Sequence, residues 1–204
     1  MPLTQSLADF KAKIAQCDNL IASAHKVEPN GAAVFSALDQ QQITIAAFLN
    51  AFISWEMFLE SSLLDLMTGG ATISGKVPVR YVSPPSQDAA QKIVIGVMRH
   101  FDYANHQNMI KISSLYFQNG YPYEPHLSAI YSDLDDLRTM RNASAHISST
   151  TQTALESLAN RIFAGPKAGI SLYQMLTAVD PRSGANETVL AHSKREAAAA
   201  SADT

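Results

Sequence analysis

Apolar positions recur at helical spacing along most of the chain. Leu7, Phe10, Ile14, Cys17 and Ile21 predict a helix over about Gln5 to Ala24, closed by the turn residues Pro29-Asn30-Gly31. A second helix is expected from about Asp39 to Met67, stopping at Gly69-Gly70. Its middle, AAFLNAFISWEMFL, is apolar nearly all round and should be buried on several sides. Glu56 lies in the centre of that face, next to Ile45, Leu49, Phe52, Leu59 and Leu63. A carboxylate there needs a partner.

The stretch from Gly70 to Gln87 carries three prolines and two glycines and reads as a long connection. Its VPVRYV piece is suited to a short extended run. Asp88 has capping-box spacing to Gln91, so a helix to about Tyr103 should bury Ile93, Val94, Val97, Met98 and Phe101. His106 to Gln118 forms a further segment, either continuous with that helix or bent from it. His100 and His106 are expected on the surface, because six positions apart they face opposite sides of a helix. After the proline-rich turn Gly120–Pro125 the pattern predicts one helix through Leu127–His146, ending near Ser148. Asp133, Asp135 and Asp136 read as its solvated side. Thr151 should cap the next helix, which Gly165-Pro166 stops, and ISLYQMLTAV gives a short last one. From Pro181 the chain is polar and alanine-rich with no apolar periodicity. The expectation is an all-α, antiparallel helical bundle of four core helices with short additions. One domain would cover residues 1–180, with a mobile tail over 181–204.

Within the Leu127–His146 helix, Leu127, Ile130, Leu134 and Leu137 share one arc, and the next position of that arc is Arg141. A permanent cation stands where the pattern asks for a leucine, and such breaks of a local rule are expected at functional or strained sites. Arg138, Asn142 and His146 form a neighbouring stripe at successive fourth positions. Glu56 is the natural partner for Arg138 or Arg141 and would fix a guanidinium's direction. Lys76 and Arg80, in the long connection, would meet phosphate if that loop folds over the same edge.

The six residues Arg141-Asn142-Ala143-Ser144-Ala145-His146 resemble the R-x4-6-H motif of the HEPN superfamily, all-helical ribonucleases common among prokaryotic toxins and defence proteins. A polar residue directly after the arginine belongs to that pattern, and Asn142 fits it. The resemblance implies Arg141, Asn142 and His146 as the catalytic group, and the charge pairing above adds Arg138 and Glu56 in support. It also implies a homodimer whose two motif copies line one cleft, an RNA substrate, and an antitoxin as a further protein partner. Members paired with a minimal nucleotidyltransferase carry a tyrosine two residues after the histidine; here Ser148 stands there, so that residue does not carry over.

The chemistry agrees with the residue types. RNA brings its own nucleophile, the 2′-hydroxyl. A base, an acid and a cation for the charged phosphorane complete the reaction, so neither metal nor cofactor is called for. Histidine suits the first two tasks and arginine the third. Asn142 would fix the imidazole tautomer or touch the phosphate itself. A non-catalytic helical dimer binding a nucleotide or protein partner is the competing reading.

Composition narrows this picture. The net charge of −3 over 204 residues argues against a broad phosphate-binding surface, so contact with RNA must be local. The single cysteine, Cys17, excludes a disulfide framework and fits a reducing cytoplasm. The start, MPLTQSLADF, lacks the pattern of a signal peptide. The apolar run Ile45 to Leu66 is interrupted by Asn50, Glu56, Glu60 and Asp65, which favours a buried helix over a membrane span. No Gly-rich phosphate loop and no metal-ligand cluster stands in the sequence.

Overall fold

The two strongest periodic stretches become the two longest elements. In the computed structural model, which describes residues 2–145 and 148–202, α1 spans Leu3–Ala24 and α2 spans Ala37–Met67. They are followed by α3 (Gln87–Ile95), α4 (His106–Tyr116), a 3-10 turn (Gln118–Gly120), α5 (Tyr123–Ala129) and α6 (Tyr131–Ala145). The chain closes with α7 (Ser149–Ile162), α8 (Leu172–Thr177) and α9 (Val189–Ala202). Extended pairing among the described residues is confined to isolated bridges, so the fold is all-α. α2 is the one helix among the described residues long and apolar enough to cross a membrane.

The chain divides into two units. Unit 1 takes the N-terminal stretch through Lys11, then Ser54–Leu134, and the chain from Glu196 onward. Its core includes Leu7, Phe10, Trp55, Phe58, Leu63, Met109, Phe117 and Tyr123. The Phe10 ring lies 5.5 Å from Phe58 and 5.8 Å from Trp55, centroid to centroid, within the range where aromatic pairs attract. The buried Tyr123 hydroxyl donates to Ser62 Oγ at 2.9 Å, so its polar tip is satisfied inside that core. The long connection is irregular as expected, and its VPVRYV piece is extended. Tyr81 N donates to the Tyr116 carbonyl and Gln118 N to the Val79 carbonyl, around a bridge between Arg80 and Phe117.

Three expectations in unit 1 need correction. α3 ends at Ile95 rather than near Tyr103, because Gly96 turns left-handed at φ 58° and caps it. Val97 and Met98 are therefore exposed, not core. The N-cap of α3 is Ser86, whose hydroxyl accepts from Ala89 N, while Asp88 forms an exposed ion pair with Lys92. His106 is buried, edge-on to the Tyr131 ring at 4.3 Å, because α4 begins there instead of continuing α3.

Unit 2 takes Ala12–Ile53 and Asp135–Arg195. Cys17, Ala47 and Ala51 form a tight cluster with Ile14 and Ile21 against it, so the apolar stripe of α1 is buried as its spacing predicts. Leu137, Met140, Leu155, Leu158, Ile162, Met175 and Leu176 supply the rest of the core. α7 and α8 each begin with a reciprocal capping box, Ser148 with Thr151 and Ser171 with Gln174. Thr151 is thus the third residue of α7 and Ser148 its cap, three positions earlier than the sequence suggests.

The helix expected over Leu127–His146 is two helices. Ile130 caps α5 at φ −113°, and α6 starts one residue later. No glycine or proline marks this break, and nothing in the local sequence explains it. Residues 181–190, expected to be loose, are held instead. Arg182 forks onto the fully buried Asp180, with Nε 2.9 Å from Oδ1 and Nη2 2.6 Å from Oδ2. Its Nη1 reaches Asp136 Oδ2 on α6 at 3.1 Å. Arg161 of α7 pairs with the other Asp136 oxygen. Asp136 is 3% exposed and is therefore the buried centre of an ion network, not solvated charge. Val189 and Leu190 at the start of α9 are buried as well.

Candidate functional site

The expected site residues on α6 all fall in unit 2. Leu137 and Met140 bury one side of α6, and Arg138, Arg141 and Asn142 are half-buried beside them. Arg141 is one residue past Met140, so its side chain leaves the core edge along the apolar surface of α2. Its guanidinium carbon lies 5.9 Å from the centre of the Phe52 ring, within cation–π range. One N–H of its Nη1 donates to Oδ1 of Asn142, 3.3 Å away. No carboxylate among the described residues neutralises Arg141. Its charge is supported by an aromatic face and a neutral amide, and most of its five donors stay available.

The last turn of α6 is fastened locally. Ser144 Oγ donates to the Arg141 carbonyl at 2.6 Å, tying the helix end to the residue that carries the cation. Ala145 is the last residue of α6 and Ser148 the cap of α7. His146, the expected acid or base, lies outside the described residues.

The other expected residues are distributed differently. Glu56 belongs to unit 1 and is half-buried; the fully buried face of α2 runs through Phe52, Trp55, Phe58 and Leu59 instead of through the carboxylate. Arg80, also in unit 1, donates from Nη1 to the Met67 carbonyl at 2.8 Å, and Gly69 packs against its guanidinium. It caps the C-terminus of α2, where a cation meets the negative end of the helix dipole. The cap uses one nitrogen of the Arg80 guanidinium. Lys76 places Nζ 4.0 Å from the centre of the Tyr121 ring while staying exposed.

The electrostatics of unit 2 separate its arginines. Burial alone would raise the Asp180 carboxyl, but the guanidinium and backbone N–H of Arg182 outweigh it and hold that carboxyl below its ordinary range. For Asp136 burial wins, and its carboxyl stays above the ordinary range despite Arg161 and Arg182. Arg182 is itself raised by the hydrogen bonds from Asp180, against its burial. Among the described residues no group of three or more His, Cys, Asp or Glu is placed to hold a metal ion.

A cavity of about 230 Å³ opens beside the last turn of α6, lined by Ala143 and Ser144 and by residues from α2, α7 and α8. Its only signal in the sequence is the pair of capping boxes that bring Ser148 and Ser171 to two helix starts.

No protein-family model, curated protein or solved structure matches the chain.

Proposed function

We propose that the chain is a HEPN-type endoribonuclease of toxin or defence type, which cleaves RNA without a metal and acts as a homodimer. The observation that supports this most is Arg141. It is a half-buried guanidinium without a carboxylate partner among the described residues, seated on Phe52 and next to Asn142. A cation left in that condition at the edge of a core is suited to gripping a phosphodiester.

In the proposed reaction an imidazole takes the proton of the 2′-hydroxyl. The oxygen attacks the adjacent phosphorus, and Arg141 carries the developing phosphorane charge. A second imidazole protonates the departing 5′-oxygen, giving a 2′,3′-cyclic phosphate end and a free 5′-hydroxyl. One chain offers one such histidine, so the pair is completed by His146 of a second copy. The exposed row Ala46, Asn50, Ile53 and Met57 on α2 supports that step. It is mostly apolar, follows helical spacing, and lies next to Phe52, so it suits an isologous interface beside the site.

The test is incubation of the purified protein with single-stranded RNA in EDTA, beside His146→Ala. Cyclic phosphate ends from the wild type and a loss of at least about 100-fold in the variant are expected, the usual size of an acid–base contribution. The competing reading, a dimer that only holds a nucleotide or protein partner, shares the apolar row of α2. It gains if binding survives His146→Ala and no cut ends form.

A further inference from the structure

We infer that the cavity beside the last turn of α6 is a nucleobase subsite that takes one neutral base, guanine before the others. The inference rests on the ribonuclease reading for its link to cleavage, but the cavity stands on its own geometry. Its floor is apolar, made by Ile45 of α2, Leu155 of α7 and Leu172 at the start of α8. Its rim is polar and uncharged, with Ser144, Gln152 and Ser171 among the lining residues. The lining side chains among the described residues are all neutral, so these walls suit an uncharged ring better than a phosphate. At about 230 Å³ the cavity is smaller than the ~300–1,000 Å³ of sites for drug-sized ligands. It has room for a single ring system and leaves sugar and phosphate outside.

The hydrogen-bond ledger of the rim gives the preference. Ser144 spends its proton on the Arg141 carbonyl, which leaves its oxygen lone pairs as acceptors. The Gln152 amide donates to Glu156 Oε1 at 2.9 Å and to the Ile170 carbonyl at 3.1 Å, so its own carbonyl oxygen is left as an acceptor. The Ser171 hydroxyl accepts from Gln174 N, and its proton remains to be given. Ser148 and Thr151, also in the lining, bond to each other in the capping box of α7. The two acceptors and one donor that remain complement a base edge richer in donors than acceptors. Guanine has that edge, with N1–H and the amino group as donors and O6 as acceptor; cytosine and uracil each set two acceptors beside one donor group, and adenine one of each.

Position connects the cavity to the candidate chemistry. Ser144 lies three residues after Arg141, on the adjoining face of the same helix turn. A base held in the cavity and its own phosphate at Arg141 would be gripped from one turn of α6. The subsite therefore selects the nucleotide next to the bond to be cut.

The experiment titrates the four ribonucleoside 3′-monophosphates, and inorganic phosphate alone, into the full chain by calorimetry and amide chemical shifts. Guanosine monophosphate should bind most tightly, with the cytidine and uridine monophosphates weaker by about fivefold, one hydrogen bond's worth. Gln152→Ala, at the exposed rim, should weaken the favoured nucleotides about fivefold with an unchanged melting temperature. Leu172→Trp, which fills the floor, should weaken them tenfold or more. The inference is overturned if no mononucleotide binds, if phosphate alone binds as tightly, or if Gln152→Ala leaves all four affinities unchanged. RNA cleavage that needs His146, together with any of those results, removes the subsite and leaves the ribonuclease. Nucleotide binding that needs Gln152, without cleavage, keeps the subsite and removes the ribonuclease.

Discussion

Two arginines in unit 2 sit in opposite circumstances. Arg182 is gripped by two carboxylates, the fully buried Asp180 and the nearly buried Asp136, so its charge is consumed inside the fold. Arg141 lies over Phe52 with a single weak hydrogen bond to a neutral neighbour, and its charge is left over. Sequence position gives the reverse impression. Arg182 stands in a polar, alanine-rich tail where a cation looks incidental and free in solvent, and Arg141 stands on an apolar arc where a free cation is least expected. Partners, not local context, decide which guanidinium is free to meet a ligand. Arg80 stands between the two, with one nitrogen given to the neutral carbonyl of Met67 at the end of α2.

Breaking the comparison on the structural side should have the largest effect on stability. Arg182→Ala strands the buried Asp180 and takes one of two arginines from Asp136, and removing one partner of a buried pair costs about 3–5 kcal/mol. For a chain of this length that lowers the melting temperature by roughly 10 °C, measurable by calorimetry. Asp136→Asn keeps the volume and one acceptor for its arginines, and should cost about 1–3 kcal/mol in denaturant titration. Arg80→Ala removes the cation and hydrogen bond from the end of α2 and should cost about 1 kcal/mol.

Acid sharpens the same contrast. The Asp180 carboxyl is held below its ordinary value of 3.8 in the folded chain. Its stabilisation is therefore fully present above that value and is lost as the pH falls through the lower, folded-state value. Asp136 has the opposite shift, so protonating it favours the fold and offsets part of the loss. Urea titrations from pH 5 downward should show a shallower fall for Asp180→Asn than for the wild type. The smallest effect belongs to Glu56→Gln. If Glu56 steers one of the α6 arginines, cleavage drops severalfold while stability moves by less than about 0.5 kcal/mol. No change in either quantity would end that role.

Legibility in the sequence followed the range of the interactions involved. α1 and α2 were readable to within two residues at each end, because their stripes and the Gly69-Gly70 stop are local signals. The early end of α3 hides in one glycine inside an otherwise helical pattern, and the break at Ile130 has no local marker at all. The Asp136–Arg182 contact joins residues 46 apart, so neither partner announces the other. Arg141 was readable as an anomaly because the apolar arc around it is local. Its seat on Phe52, in a different helix, was not.

The most direct test of the free-cation account compares Arg141→Ala with wild type in two measurements on one preparation: the melting curve, and RNA cleavage in EDTA per folded molecule. The expected result is a melting temperature within about 3 °C of wild type, since a half-buried cation–π contact is worth about 1 kcal/mol, with cleavage lower by about 100-fold or more. A melting temperature lower by roughly 10 °C, with cleavage per folded molecule unchanged, would make Arg141 a structural residue like Arg182 and contradict the assignment.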